Sequence, residues 1–332
     1  MEDRHDLTDE EWELLTPHLP GNPRHGNRWR DHRQVINGIM YRERTGCPWR
    51  DVPDRYGPWE SLYKRKRRWA ADGTWHRILD ALRTESDISC DIDRKLYEGD
   101  NGNDSAARGG EKRPNWPVAV DSTVIRVHQH AAGAGYAPAK DLVAAYPDKK
   151  DLFCRDESDG REALGRSRGG YTTKVHLAAD ARCRPRSRVT TPGQRHDTTA
   201  FESVMSGIRI RRSGGVGRPR TRPSHLLGDK AYSSRANRAY LRRRKIKAVI
   251  PERDDQVRNR KKLGSRGGRP PTFDQELYKL RNVAERSINK LKQFRAVATR
   301  YDKRDYMYQA TVDIASIKIW LRDRVLSSRS SC

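Results

Sequence analysis

The spacing of apolar residues changes period near residue 116. Before that point it is helical. "LTDEEWELL" opens with a capping box, Thr8 as N-cap and Glu11 three residues on, with Leu7 and Trp12 at the staple positions around it. "HRQVINGIMYRERTG" spaces Val35, Ile36, Ile39 and Met40 along one helix face and stops at Gly46. "GPWESLYKRKRRWAADG" starts at Pro58, places Trp59, Leu62, Tyr63 and Trp69 inward, and ends at Gly73. Its solvent side is expected to carry the run Lys64, Arg65, Lys66, Arg67 and Arg68. "TWHRILDALR" reads as a fourth, short helix. Residues 1–84 are therefore expected to form a small all-α unit of helix-turn-helix type.

Residues 85–115 are rich in Gly, Asp, Asn and Ser and read as a linker. From 116 the chain alternates with β-branched residues. "WPVAVDSTVIRVH", "YTTKVHLAAD" and "RPRSRVTTPG" predict three strands, the last two joined by a short turn at Ala181–Cys183. Between the first and second strands, residues 131–168 read as an irregular insertion. "DTTAFESVMSGIRI" predicts a helix, "SHLLGD" a short buried strand, "SSRANRAYLRRRK" a helix capped by Ser233 or Ser234, and "KAVIPE" another strand. "RRSGGVGRPRTRP" and "RNRKKLGSRGGRPP" read as exposed basic loops, and the chain closes in helices. A meander followed by strands alternating with helices predicts an α/β (α+β) domain over 116–325, a mixed sheet covered by helices.

Charge adds a partner. Lys and Arg number 69 against 44 Asp and Glu, a formal net charge of +25. An excess this large points to a polyanion, with nucleic acid first; the bland alternative is a solvated basic surface. No apolar run reaches the roughly 18 residues of a membrane span. The polar, acidic "MEDRHDLTDEEW" is no secretory signal. Cys47, Cys90, Cys154, Cys183 and Cys332 are scattered without a CxxC, which fits reduced thiols in a cytoplasm.

Candidate chemistry sits in three acids. Asp121 follows the apolar run Val118–Val120, and Asp229 follows Leu226–Leu227–Gly228. A lone Asp after a strand is usually a turn residue, so these two carry modest weight. Glu285 lies in "YKLRNVAERSINKLK". At about 100° per residue, Tyr278, Arg281, Glu285 and Lys292 share an arc of roughly 60°, beside an apolar stripe of Leu280, Val283, Ala284, Ile288, Leu291 and Phe294. An ordinary Arg281–Glu285 ion pair, worth a few tenths of a kcal/mol, explains part of that pattern equally well. Converging carboxylates would serve phosphodiester cleavage, because two Mg²⁺ ions about 4 Å apart can activate water and relieve charge on the leaving oxygen.

The spacing Tyr278, Arg281, Glu285, Lys292 resembles the third-acid signature of the DDE transposases of bacterial insertion sequences, in the large family numbered five. "AVDSTVIRVHQHAAGA" looks like that family's first-acid motif with Asp121, and "LLGDKAYSS" like its second with Asp229. "WRDVPDRYGPW", "DGTWHRIL", "GRSRGGYTTKVHLAAD", "TPGQRHD", "GSRGGRPP" and "KQFRAVATRYDK" are also similar. The departure is 136–163, longer than the family usually carries there. The resemblance implies a ribonuclease H-like catalytic domain, with Asp121, Asp229 and Glu285 as catalytic metal ligands for two Mg²⁺ (or Mn²⁺) ions. It implies cleavage at the element's terminal inverted repeats and transfer of the freed 3′-hydroxyls to target DNA. Tyr278, Arg281 and Lys292 would contact DNA near the cut, and Lys64, Arg65, Lys66, Arg67 and Arg68 would bind duplex DNA elsewhere. A homo-oligomer on DNA, a cytoplasmic, nucleoid-associated location and no membrane partner follow from the same resemblance. Two other classes compete: a catalytically silent DNA-binding regulator, and a Mg²⁺-dependent nuclease without strand transfer.

The remaining motifs are weaker. His128 and His130 form an HxH expected on one strand face; with Cys183 or His176 it could be drawn as a zinc site, but it lacks the paired CxxC, and both histidines could instead line a DNA path beside Asp121. The Gly-rich basic loops have no P-loop spacing and read as minor-groove arms or as plain linkers.

Overall fold

The computed structural model describes residues 4–22, 28–88, 116–134, 162–210 and 217–330. The expected linker lies outside these residues except for 85–88, which continue a helix, and most of 136–163 lies outside them too. The helices are α1 (Asp9–Leu15), α2 (His32–Thr45), α3 (Trp59–Ala71), α4 (Thr74–Ile88), α5 (Gln129–Ala132), α6 (Asp197–Ser206), α7 (Arg235–Arg243), α8 (Asp254–Lys262), α9 (Gln275–Lys279), α10 (Asn282–Lys292), α11 (Arg295–Ala298) and α12 (Asp305–Ser330). The strands are β1 (Val118–Val127), β2 (Gly165–Ser167), β3 (Gly170–Asp180), β4 (Pro185–Pro192), β5 (His225–Leu227), β6 (Lys247–Val249) and β7 (Thr299–Arg300).

The capping box forms as expected: the Glu11 N–H donates to Thr8 Oγ at 3.2 Å, and the Thr8 N–H donates to Glu11 Oε2 at 3.1 Å. Helix α2 ends at Gly46 with φ +69, a left-handed cap that favours glycine. A Cβ there would also sit 2.8 Å from the Arg295 Cβ, so the end of α2 packs directly on α11. Helices α1 to α4 do not close a core by themselves. Ile36, Ile39, Leu62, Trp69, Trp75 and Leu82 share one cluster with Met307, Ile314, Ile317, Trp320 and Leu321 of α12. Each such large side chain contributes about 2 kcal/mol on burial, so the N-terminal unit depends on the C-terminal helix.

The sheet is mixed. β1 pairs antiparallel with β3, β3 pairs antiparallel with β4, and β1, β5 and β6 run parallel. The meander and the later parallel strands are as the apolar pattern predicts. β2 pairs with the start of β3, on the edge that β4 uses further along. Residues 165–167, expected inside the irregular insertion, form this edge strand instead. β7 extends the parallel edge of β1 beside β5. The two sheet faces are covered separately. Val118, Val120 and Leu226 pack with Phe201, Met205 and Leu241 of α6 and α7. Ala119 and Leu227 pack with Val283 and Ala284 of α10, and Val175 and Leu177 with Ile288, Leu291 and α12. This strand order, with helices on both faces and the helical N-terminal region, is ribonuclease H-like.

One expected loop is largely helix. "RNRKK" belongs to α8, which has Asp254 and Asp255 in its first turn and Arg260, Lys261 and Lys262 in its last. That charge order suits the helix dipole and fixes a segment whose composition suggested a loop. In the other basic loop, 211–216 lie outside the described residues.

Candidate active site

The parallel pairing of β1 and β5 brings the two strand acids together. Their register matches Val118 to Leu226 and Ala119 to Leu227. Two residues beyond the paired Ala119 and Leu227 stand Asp121, still on β1, and Asp229, which follows β5 as the N-cap of the short turn Lys230–Tyr232. Side chains alternate along a strand, so Asp121 shares the face of Ala119, which α10 covers, and Asp229 is near enough for its charge to act on Asp121. Asp121 is opposite Leu177 of β3, on the same face. Each carboxylate has one oxygen held by backbone: Asp121 Oδ1 accepts from the Ser122 N–H at 2.8 Å, and Asp229 Oδ1 from the Ala231 N–H at 2.9 Å.

Glu285 arrives from the first turn of α10. Val283, Ala284, Ile288 and Leu291 are buried on the sheet while Glu285 stays 49% exposed at its side chain, as the helical spacing predicts. The expectation of one continuous helix from Tyr278 fails. α9 stops at Lys279, and Arg281 is the N-cap of α10. At this break the Arg281 Nη2 lies 2.6 Å from Glu285 Oε1 and 3.4 Å from Asp121 Oδ2, so one guanidinium bridges the helix acid to the strand acid. Tyr278 packs beside the Ala119–Val283 cluster and against the Phe273 ring at 5.1 Å. Lys292 lies two turns past Glu285 and borders a small gap with Thr123 and Ile125, on the Asp121 face of β1. The structure thus brings Asp121, Asp229, Arg281 and Glu285 together and sets Tyr278 and Lys292 at the margins.

Burial pushes the Asp121 carboxyl above its usual range, and the nearby Asp229 and Glu285 charges push the same way, while the Ser122 N–H and Arg281 oppose them. Burial disfavours the Arg281 cation, but Asp121 and Glu285 more than offset it, and its pKa rises. These directions describe a half-buried carboxylate close to two other acids and to one guanidinium. Among the described residues no three His, Cys, Asp or Glu side chains already stand at metal-holding distance. Arg281 stands between two of the acids. The donor set itself, three carboxylates, fits a hard divalent cation.

Two expectations need correction. The run Lys64–Arg68 does not lie on one solvent face. Lys64, Arg67 and Arg68 are exposed, but Lys66 has no exposure and sits 2.8 Å from Glu43 Oε1 and 3.4 Å from Asp302 Oδ2. Arg65 is buried against the Trp29 ring at 4.3 Å and the Trp69 ring at 5.1 Å, and burial lowers its pKa to about 10. A helix puts a consecutive run all around its axis, so part of it had to face the core. His128 and His130 lie past the end of β1, with His128 as the N-cap of α5, and so are neither on a strand face nor beside Asp121. They form no zinc site with His176, which is buried and contacts Thr191 Oγ1 at 2.8 Å, or with the buried Cys183.

Sequence reading missed a polar group behind Asp121. The Ser122 hydroxyl donates to Asp197 Oδ1 at 2.7 Å, and the Lys174 ammonium donates to the same oxygen at 3.0 Å. His176, 3.8 Å from Asp197, is kept neutral by burial, its pKa lowered to about 4. "TPGQRHD" and "YTTKVH" contain these residues, but nothing in their spacing shows that they meet.

The chain is similar to known proteins along much of its length. Residues 112–310 match the family model described as "Transposase DDE domain", and residues 7–79 match "Putative transposase of IS4/5 family". A "Putative transposase for insertion sequence element IS6501" of Brucella ovis is 32% identical over 151 residues, 46% of this chain and 99% of that protein. "Uncharacterized protein y4sN" of Sinorhizobium fredii is 28% identical over 130 residues, 39% of this chain and 82% of its own length. "Insertion element IS402 uncharacterized 16.2 kDa protein" of Burkholderia cepacia is 30% identical over 118 residues, 33% of this chain and 80% of its own length. No solved structure matches significantly.

Proposed function

The chain belongs to the transposase DDE family of insertion sequences, and from that premise we propose that it cuts DNA at terminal inverted repeats and joins the freed 3′-hydroxyls to target DNA. Such domains act on DNA with divalent metal ions. The observation that carries the proposal is the placement of Asp121 on β1 beside the end of the parallel strand β5, which Asp229 follows, with Glu285 joined to Asp121 through Arg281.

Asp121, Asp229 and Glu285 would hold two Mg²⁺ ions, with Mn²⁺ as a substitute. Held there, such ions would supply activation of the attacking oxygen and neutralisation of charge on the leaving one. The protein supplies the rest. Backbone N–H groups fix one oxygen of each strand acid, so the carboxylates are oriented before any ligand arrives. Arg281 neutralises part of the acid cluster in the free protein, and with a cation held there its guanidinium would be free to meet a DNA phosphate. Lys292 and Tyr278 flank the strand being cut. Lys64, Arg67 and Arg68, on the exposed part of α3, hold the duplex; Arg65 and Lys66 are withdrawn from that role. A homo-oligomer would pair two element ends.

The test uses purified protein, Mg²⁺ and a labelled duplex bearing the inverted repeats. Wild type should nick and join. Asp121→Asn, Asp229→Asn and Glu285→Gln should each abolish nicking and leave duplex binding intact. Full nicking by any of them would sink the assignment. Nicking without joined product would instead support the nuclease, and binding without nicking the regulator.

A further inference from the structure

A cleft of about 750 Å³ opens where the α2–α3 connection meets the far end of β1 and the entry to α12. It is not the carboxylate site. Seven residues separate Asp121 from His128, roughly 20 Å at strand rise. Nothing in the proposed chemistry uses this space, yet its lining has a definite character. Its aromatic rings include two mixed pairs: Trp49 with Tyr63, centroids 5.6 Å apart, and His128 with Tyr301, centroids 4.6 Å apart and tilted 32°; His130 stands edge-on to His128 at 4.4 Å. Arg42 and Lys303 are among its cations. Among the described residues the lining's acid, Asp302, is already engaged by Lys66 at 3.4 Å and by the Thr311 hydroxyl at 2.8 Å. Arg42 is 5% exposed, and its Nε has no hydrogen-bond partner. A buried, unpartnered cationic N–H is costly unless a ligand completes it.

The combination selects a ligand. Rings take the face of another ring, cations take a phosphate, and the volume suits one small molecule. A base inside a duplex has both faces covered by its neighbours and cannot offer one. We propose that the cleft binds a single unpaired nucleotide, its base against the ring pairs and its phosphate on Arg42 and Lys303. That chemistry is shared by a free nucleotide and by an unpaired nucleotide of a DNA strand. Arg67 of α3 also lines the cleft, so it adjoins the proposed duplex-binding face; the DNA source rests on that reading, while the nucleotide site does not.

Cys47 lies in the cleft wall and is half-buried, which provides a footprint on the full chain. Its alkylation rate is read by mass spectrometry with no ligand, with deoxyadenosine monophosphate, with a short 5′-phosphorylated single strand, and with a blunt duplex. A single strand should slow alkylation of Cys47 and a blunt duplex should not. Trp49→Leu and Tyr301→Leu should each weaken single-strand binding by roughly 5- to 100-fold, the range expected when one base stack is removed, with blunt-duplex affinity unchanged. Lys303→Gln alters an exposed side chain and avoids folding defects; it should weaken single-strand binding and reduce the salt dependence by about one counterion. Protection by the monophosphate alone supports the nucleotide site with a free ligand as its source. Unprotected Cys47 under every ligand, or wild-type single-strand binding by all three variants, overturns the proposal. If that happens while duplex is still nicked, the transposase reading survives; if the monophosphate protects while no DNA is bound, the reverse holds.

Discussion

Lys66→Met distinguishes a structural lysine from a DNA-binding one. Methionine keeps most of the stem volume and deletes the charge. The ammonium has no exposure and lies 2.8 Å from Glu43 Oε1, 3.4 Å from Asp302 Oδ2 and 2.7 Å from Thr311 Oγ1. Without it, Glu43 keeps Arg42 Nη1 at 3.2 Å, and both carboxylates stay in the core. Removing one partner of such a buried group costs about 3–5 kcal/mol. With a urea m-value near 3 kcal/mol/M, the unfolding midpoint should fall by roughly 1–2 M. Tryptophan fluorescence reports on this region, since Trp69, Trp75 and Trp320 share its core. Lys66→Met combined with Glu43→Leu should recover part of the loss, because replacing a whole buried pair by apolar groups is close to neutral. The acid limb offers a second check. Burial would raise the Asp302 pKa, but Lys66 and Arg42 hold it below the usual range. Its ionised form therefore stabilises the fold above the ordinary carboxylate pKa, and that contribution is lost as pH falls through the lowered value. Lys66→Met should shrink it and move acid unfolding to higher pH. A wild-type midpoint would refute the argument. So would a drop of about one unit in the slope of log affinity against log salt, which marks one fewer phosphate neutralised by the protein.

Neutralising Lys64, Arg67 and Arg68 together should leave stability nearly unchanged and lower the duplex-binding salt slope by about 0.9 for each phosphate the variant no longer neutralises; an unchanged slope would make the α3 face merely solvated. Asp121→Asn should melt at or above wild type without divalent ions, because a carboxyl with a raised pKa costs stability once ionised, and it should lose the Mg²⁺-induced rise in Tm; a clear drop in metal-free Tm would contradict this. Mg²⁺ binding, measured by calorimetry, should weaken as pH falls through that raised pKa. Arg281→Gln removes a group that lowers the Asp121 pKa, so this loss should begin at higher pH than in wild type; an unshifted or lower onset would refute the bridge.

Much of this was legible in the sequence because it is local. The Thr8–Glu11 box, the alternation of Val118–Val120 and the Val283–Leu291 stripe each depend on neighbours within a few residues, and each appears in the fold as expected. The approach of Asp121 to Asp229 was legible only through the resemblance, since parallel register joins residues more than a hundred apart. Lys66 shows where local reading fails. Its partners Asp302 and Thr311 lie 236 and 245 residues away, so a charge run that looked solvated has two of its five members, Arg65 and Lys66, turned into the core. The kink at Leu280–Arg281 was hidden because the apolar spacing continues in phase across it.

These long-range contacts also decide how the two halves act together. Helix α12 is apolar around most of its circumference: Met307, Ile314, Ile317 and Trp320 face α1 to α4, while Tyr308, Val312, Ala315 and Ile319 face the sheet and α10. The Lys66 group and the packing of Gly46 on Arg295 fasten the same joint at two further points. If the exposed α3 face grips duplex as proposed, it is held at a set distance from Asp121, Asp229 and Glu285. A tethered module on a flexible linker would leave the cutting position to chance encounters along the DNA. A packed joint instead measures it, because close-packed interfaces deform little. On the proposed function, the position of the cut relative to the bound repeat would be a property of this core, and substitutions such as Lys66→Met that loosen it should blur the cleavage position before they reduce DNA affinity.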